Sequence, residues 1–302
     1  MTSLPLIEKH CSFCSSHKVT QMRYLRLNSR SHLRNLAYAI PTRFAEILLK
    51  FNTKLFRMLR QVITNKKFFS GTAVYCSVCR TGLHLPKLSD KVLAKYYETS
   101  YWNNRDKNEG KHLQQSGVPN KAMEKETAER YNWICESGVS FSSVADVGAG
   151  DCAASYFFKK QGIKNVYVID PSLKSREIAH AYGFKHSFNF DGNFEVDLIF
   201  ASHVVEHVGD ISHFIQNCLS ILSKNGYIFY ETPNIGDVKI FKGLVHTPHT
   251  YFLSEQSFIN IEKYWPLRIV KMESCGPHWN SSFPHIKSNM RADLRVLLQK
   301  VD

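Results

Sequence analysis

The feature that most constrains this chain is an alternation of apolar runs and amphipathic stretches that starts near residue 142. The apolar runs cover 144–147, 165–169, 196–201 and 227–231, and the amphipathic stretches between them cover 152–161, 172–182 and 211–222. Apolar runs of strand length in this order are typical of a parallel sheet with helices on both faces. The sequence therefore predicts an α/β, doubly wound and mostly parallel sheet.

A glycine turn follows the first apolar run, in Asp146-Val-Gly148-Ala-Gly150. Glycines let the backbone turn sharply and approach a ligand closely. In a sheet of this kind, ligands bind where the strands end and the first helix begins. Asp170 comes 20 residues after Gly150, at the end of the second run. A carboxylate there can accept hydrogen bonds from both hydroxyls of an adenosine ribose.

Two classes of cofactor fit this turn. Gly148, Gly150 and Ala153 also match the spacing of the dinucleotide fingerprint, so a nicotinamide-dependent oxidoreductase is an alternative. Asp146 favours the other class, because its carboxylate would repel a pyrophosphate and attract the cationic amino-acid end of S-adenosylmethionine. The sequence thus favours S-adenosylmethionine as the cofactor.

Four segments together resemble class I S-adenosylmethionine-dependent methyltransferases. They are 144–152, 168–172, 196–208 and 226–234, within a region of resemblance from about 142 to 272. The resemblance implies the Rossmann-like methyltransferase fold. It also implies three roles in cofactor binding: the methionine end lies at Asp146, Gly148 and Gly150, the ribose at Asp170, and the methyl-donor pocket at Ser202 and His203.

Two histidines are candidates for work on the acceptor. His249 lies in 247–254, which resembles a segment that borders the acceptor pocket in sugar and natural-product methyltransferases. A histidine there can act as a general base towards a hydroxyl. His207 either faces the acceptor or caps a helix and pairs with its neighbours. His203, Glu206 and His207 also match a zinc-protease pattern, which requires a helix at 203–207.

Two Cys-x-x-Cys pairs near the N-terminus supply four thiols, Cys11, Cys14, Cys76 and Cys79. Four thiolates suit a tetrahedral structural zinc ion. Together with Thr81-Gly82 after the second pair, Pro86 and the aromatic segment 96–101, the cysteine pairs resemble the zinc-binding cap that precedes many of these methyltransferases. The 61 residues between Cys14 and Cys76 make a longer gap than an ordinary zinc ribbon has, so we expect an insertion between the pairs.

That insertion is strongly basic. The chain carries a net charge of +13, and 15–75 alone contains twelve Lys or Arg against one acid, Glu46. Apolar residues recur at helical spacing across 42–64, which predicts an amphipathic helix. Three partners fit such a helix: the protein's own core, an anionic membrane surface, or RNA.

These observations predict three parts: a zinc-binding module at 1–86 with its helical insertion at 15–75, a helical connector at 87–141, and a methyltransferase domain at 142–302. The predicted function is methyl transfer to a small-molecule acceptor, with a sugar or sugar conjugate as the leading hypothesis. An RNA methyltransferase is the alternative, followed by an oxidoreductase or a non-catalytic cofactor-binding protein. No apolar run approaches the roughly 20 residues that span a bilayer, which indicates a cytoplasmic protein or one peripheral to the membrane.

Overall fold

The computed structural model describes residues 11, 14, 19–21, 72–85, 88–98, 121–234, 249–275 and 292–301. The predicted amphipathic helix at 42–64 lies outside the described residues, as does most of the insertion at 15–75. Within the described part of the chain, no helix combines the length and apolar character needed to cross a membrane.

The described strands and helices alternate along most of the chain. The strands are β1 (Val19–Gln21), β2 (Thr72–Cys76), β3 (Gly82–Leu85), β4 (Ser143–Val147), β5 (Asn165–Ile169), β6 (Lys185–Ser187), β7 (Val196–Ser202), β8 (Leu222–Asn234), β9 (Tyr251–Phe252), β10 (Leu267–Cys275) and β11 (Ala292–Lys300). The helices are α1 (Asp90–Tyr96), α2 (Lys121–Cys135), α3 (Ala153–Lys160), α4 (Leu173–Ala181), α5 (Ile211–Ile221), α6 (Glu255–Ile259) and α7 (Ile261–Tyr264). The predicted strand and helix positions in 142–222 agree with these bounds to within one residue.

The large sheet has seven strands in the order β10-β11-β8-β7-β4-β5-β6. The strands β6, β5, β4, β7 and β8 run parallel to one another, whereas β11 is antiparallel to both β8 and β10. The dinucleotide-binding fold has the order 3-2-1-4-5-6 with parallel strands. The antiparallel strand β11 near one edge therefore distinguishes this sheet from that fold. The predicted mostly parallel sheet is confirmed.

Helices cover both faces of the sheet, as the apolar runs predict. On one face, Trp133 and Ile134 of α2 and Phe158 of α3 pack against Phe200 and Phe229 of the central strands. On the other face, the apolar side of α5 packs with Phe258 of α6. Every residue of β4 is buried, because this central strand is covered on both sides. The parallel strands between these helices all have their carboxyl ends at the same edge of the sheet.

Contacts cross both predicted domain boundaries. The small sheet has the order β1-β2-β3-β9, so β9 joins the strands of the cysteine module although it lies far along the chain. Helix α2, predicted to belong to the connector, packs on the large sheet, and Trp133 Nε1 donates to Glu273 Oε2 at 2.8 Å. The proposed boundaries at 86 and 141 therefore divide segments that pack as neighbours.

Candidate active site

The glycine turn lies at the carboxyl end of β4 and depends on glycine at Gly148. This residue has φ +66°, and its amide donates to the carbonyl of Ile169 at 2.7 Å. A Cβ added there would lie 2.5 Å from Cγ2 of Val204. Backbone conformation and space together exclude a side chain, so the turn approaches the 203–207 segment closely.

Gly150 and Cys152 continue this turn with left-handed backbone, at φ +56° and +58°. Left-handed backbone at Cys152 has a conformational cost that a glycine would avoid. Its side chain is fully buried, and burial raises the pKa of the thiol. The cysteine is therefore a buried filler at the start of α3.

Asp170 connects the turn to the second helix of the sheet. Its Oδ2 accepts from the amide of Gly150 at 2.9 Å, and its Oδ1 accepts from the amide of Ser172 at 2.8 Å. Burial raises the pKa of Asp170 to about 6, although these amide hydrogen bonds oppose the shift. Each carboxylate oxygen can accept a further hydrogen bond, which suits a pair of ribose hydroxyls.

Asp146 lies beneath the turn. Its Oδ2 accepts from the amide and the hydroxyl of Ser155, at 3.0 and 2.6 Å, and only 3% of the residue is exposed. Burial raises the pKa of Asp146 to about 7. The side chain thus fastens the end of β4 to α3, and its predicted attraction for the methionine end of the cofactor remains a prediction.

Ser202 and His203 lie where β7 ends, beside the glycine turn. The amide of His203 donates to the carbonyl of Glu231 at 2.7 Å, and the residue adopts φ +56°. Residues Val205–His207 form a single 3₁₀ turn directly after this point. Residues 203–207 therefore do not form the helix that the zinc-protease pattern requires, and that alternative is wrong.

A buried charge cluster supports His203. The Glu231 carboxylate accepts from Arg130 Nη2 at 2.6 Å, contacts Arg295 Nε, and lies 3.3 Å from His203 Nε2. Burial alone would raise the pKa of Glu231, but the neighbouring cations hold it well below its ordinary value. The sequence pattern missed Arg130 and Arg295, because they lie 101 residues before and 64 residues after Glu231.

The two carboxylates beside His203 favour its protonated form. Burial would lower its pKa, but hydrogen bonds and charge from Glu206 and Glu231 outweigh burial and raise the pKa to about 10. Its Nδ1 lies 3.3 Å from Glu206 Oε1. The His203 ring thus contacts a carboxylate through each of its two nitrogens, at the edge of the predicted methyl-donor pocket.

Glu206, His207 and His249 form a second group at the same edge, which we call the carboxylate–histidine cluster. One potential ligand atom from each residue lies within 4.8 Å of the others, and the two imidazole centroids are 4.7 Å apart. Glu206 is 1% exposed, and its Oε2 has no hydrogen-bond partner among the described residues. Burial would raise the pKa of Glu206, but the three neighbouring histidines lower it to about 2.

This cluster has two chemical uses. A carboxylate beside an imidazole stabilises the imidazolium that forms when the histidine takes a proton. Two imidazoles and a carboxylate are also a ligand set that divalent metals accept. The structure thus brings both predicted catalytic histidines, His207 and His249, together with the buried acid Glu206.

The four cysteines also come together. Cys11 Sγ lies 3.6 Å from Cys79 Sγ, and Cys14 Sγ lies 3.6 Å from Cys76 Sγ. All four sulfurs fall within 4.8 Å of one another and are buried. A tetrahedron with zinc–sulfur bonds of about 2.3 Å has edges of about 3.8 Å, whereas a disulfide bond measures about 2.05 Å. The arrangement fits a four-thiolate metal site and does not fit two disulfides.

Comparison with known proteins identifies a family that this chain matches. The methyltransferase-domain family matches residues 120–302. The ubiquinone biosynthesis O-methyltransferase of Pelagibacter ubique (strain HTCC1062) is 28% identical over 150 residues, which cover 42% of this chain and 62% of that protein. The chain therefore spans less than two thirds of that relative's length.

Two solved structures are similar at low identity. A methyltransferase of Clostridium acetobutylicum ATCC 824 has a TM-score of 0.48 at 12% identity, over 67% of this chain and 98% of that one. The magnesium protoporphyrin IX methyltransferase of Synechocystis PCC 6803, solved with S-adenosylhomocysteine, has a TM-score of 0.49 at 12% identity, over 70% and 100%. Since the family match covers more than half of the chain, this protein belongs to the class I S-adenosylmethionine-dependent methyltransferases.

Proposed function

We propose that this protein transfers a methyl group from S-adenosylmethionine to a hydroxyl group of a small-molecule acceptor. The observation that carries the proposal is the carboxylate–histidine cluster, which adjoins the glycine turn through the contact between Gly148 and Val204. The relative from Pelagibacter ubique is named as an O-methyltransferase, which supports an oxygen acceptor. Family membership disfavours the oxidoreductase.

The cofactor residues have separate tasks in this proposal. Asp170 accepts hydrogen bonds from the ribose hydroxyls, and Gly148 and Gly150 admit the ligand close to the backbone. Ser202 and His203 line the methyl-donor pocket, and the His203 imidazolium is kept in place by Glu206 and Glu231. When bound, S-adenosylmethionine supplies a methyl group on a positively charged sulfur.

His249 or His207 removes the acceptor proton. With that proton removed, the acceptor oxygen could take the methyl group, and the electron pair of the carbon–sulfur bond would remain on the sulfur of the bound cofactor. The proton passes to the imidazole, and the Glu206 carboxylate stabilises the imidazolium that results. General-base catalysis of this kind contributes about 10²–10⁴-fold to a rate.

We also propose that Cys11, Cys14, Cys76 and Cys79 hold a structural zinc ion. The four sulfurs are buried and spaced as in a tetrahedral site. All positions would be filled by protein, so the ion would have no open position for chemistry. Metal analysis of the purified chain should find one zinc per molecule, and Cys79→Ser should lower that content. A chain that contains no bound metal would contradict this part of the proposal.

The sugar conjugate stays a prediction, since none of the three similar proteins described above is named for a sugar acceptor. Contact of 42–64 with an anionic membrane or with RNA also stays a prediction, because that segment lies outside the described residues.

Calorimetry with S-adenosylmethionine tests the cofactor assignment. Wild type should bind it, Asp170→Ala should bind it much more weakly, and NAD should not bind to either protein. Release of S-adenosylhomocysteine can then be measured with phenols, catechols, carboxylic acids and sugar conjugates as acceptors. Cofactor binding without turnover on any acceptor would favour the non-catalytic alternative, and binding of NAD alone would overturn the proposal.

A further inference from the structure

The cysteine module and the segment that carries His249 share one sheet. Strand β3, which follows the second cysteine pair, is antiparallel to β9, with Gly82 opposite Phe252 and Leu83 opposite Tyr251. Strand β9 has only two residues, so it depends on β3 for its position. The cysteine module therefore supports the backbone just after His249.

Side chains strengthen this connection. Thr81 Oγ1 donates to Ser257 Oγ at 2.7 Å, and Ser257 Oγ donates to the carbonyl of Cys79 at 3.3 Å. Both hydroxyl-bearing residues are fully buried. These bonds tie the second cysteine pair to the start of α6, immediately after the His249 segment.

Thr250 joins the three segments involved. Its carbonyl accepts from the amide of His84 in β3 at 2.9 Å, and its amide donates to the carbonyl of Glu206 at 2.8 Å. Its hydroxyl lies 2.9 Å from that same carbonyl and donates to the carbonyl of Val208 at 2.6 Å. At 4% exposed, Thr250 links the cysteine module on one side to the 3₁₀ turn that carries His207 on the other.

We propose that Thr250 is a positioning residue through which the cysteine module sets the geometry of the carboxylate–histidine cluster. The catalytic role of that cluster rests on the proposed function. The structural coupling between the cysteine module and the cluster does not depend on it. The carboxylates of Asp146 and Asp170 form their hydrogen bonds within 146–172. Because Thr250 bonds to none of these carboxylates, the module should act more strongly on the acceptor side of the site than on cofactor binding.

Thr250→Val tests this directly in the full chain. It removes the hydroxyl and keeps the side-chain volume close to that of threonine. Thr250→Ser keeps the hydroxyl and should restore the wild-type behaviour. Thr232→Val is the matched control, because Thr232 is fully buried and its hydroxyl has no hydrogen-bond partner among the described residues.

Three quantities should be measured on each variant: the affinity for S-adenosylmethionine by calorimetry, the imidazole NMR signals of His207 and His249, and kcat and KM once an acceptor is found. Thr250→Val should shift both imidazole signals and lower kcat by about tenfold to 100-fold, since small displacements of reacting groups have effects of that size. The affinity for S-adenosylmethionine should change less than twofold. Thr232→Val should leave all three quantities unchanged.

A second variant keeps the test decisive if Thr250→Val folds poorly. Ser257→Ala breaks the connection to Cys79 at a distance from the cluster, and it should shift the same imidazole signals by a smaller amount. Unchanged imidazole signals in both variants would overturn the proposal, as would an equal loss of cofactor affinity. Failure of S-adenosylmethionine to bind wild type would instead overturn the proposed function, and the NMR comparison would still test the coupling.

Discussion

The glycine turn and the carboxylate–histidine cluster lie at the same edge of the sheet but are held in different ways. The turn is held by backbone conformation and by Asp170, whose partners are amides no more than 20 residues away. The cluster is held by side chains and carbonyls from distant segments, and Thr250 reaches Glu206 across 44 residues. The glycine turn should therefore be sensitive to an added side chain, whereas the cluster should be sensitive to the loss of a charged group. A different kind of mutation should therefore disrupt each region.

The largest effect should come from Glu231→Gln. This change leaves Arg130 and Arg295 without the carboxylate between them, and breaking a buried ion pair costs about 3–5 kcal/mol of unfolding free energy. Urea denaturation would measure the loss. Glu177→Gln is the control, because its pair with Lys174 is exposed and should contribute less than about 1 kcal/mol. Equal losses of unfolding free energy in the two variants would show that the buried ion pairs of Glu231 contribute no more than an exposed pair.

His249→Gln should lower kcat by about 100-fold while the affinity for S-adenosylmethionine stays unchanged, as expected of a general base. His207→Gln, measured in the same assay of S-adenosylhomocysteine release, shows which imidazole takes the proton. If both variants keep full kcat, the cluster does not act as the base.

Gly148→Ala should weaken cofactor binding by about tenfold or more, since strain at such a position costs about 1–3 kcal/mol and Val204 must also move. Gly162→Ala is the matched control, because it has φ +84° with nothing within 4 Å of the added Cβ. Calorimetry should show the loss of cofactor affinity in Gly148→Ala alone, because Gly162 follows the end of α3 that is remote from the turn. Cofactor affinity that falls equally in both would contradict a role for the close approach.

The smallest effect should be a pH dependence of cofactor affinity. Asp170 accepts ribose hydrogen bonds best as a carboxylate, and burial raises its pKa to about 6. Affinity should therefore rise about tenfold from pH 5 to pH 7 as the group ionises. Asp170→Asn should reduce this rise, and any part that persists should come from Asp146, whose pKa burial raises to about 7. The carboxylates outweigh burial and raise the pKa of His203 to about 10, and the histidines outweigh burial and lower the pKa of Glu206 to about 2, so neither group should titrate in that interval.

The raised pKa of Asp170 also affects stability. Between the ordinary aspartate pKa and about 6, the folded state holds a proton that the unfolded state has lost. The free energy of unfolding should thus contain a contribution from this group that decreases as pH rises through that interval.

The sequence predicted the cofactor side better than the acceptor side for a physical reason. The strand at 165–169 and the turn at 146–150 are set by local apolar runs and by glycine. The strand predicted at 227–231 continues to Asn234, because β11 pairs with 227–234 from the distant 292–299. Arg295 and Thr250 have no local signal, since their roles arise only when distant strands meet.

The reversed strand β11 also has a consequence for how the protein is made. It lies between β8 and β10, although both of these strands precede it in the chain. During synthesis, β10 can therefore join the large sheet only after 292–300 has left the ribosome. Until then the edges of β8 and β10 are unpaired and able to associate with other chains. Shortening the interval between synthesis of β10 and of β11 should reduce aggregation during expression more than it changes the stability of the finished protein.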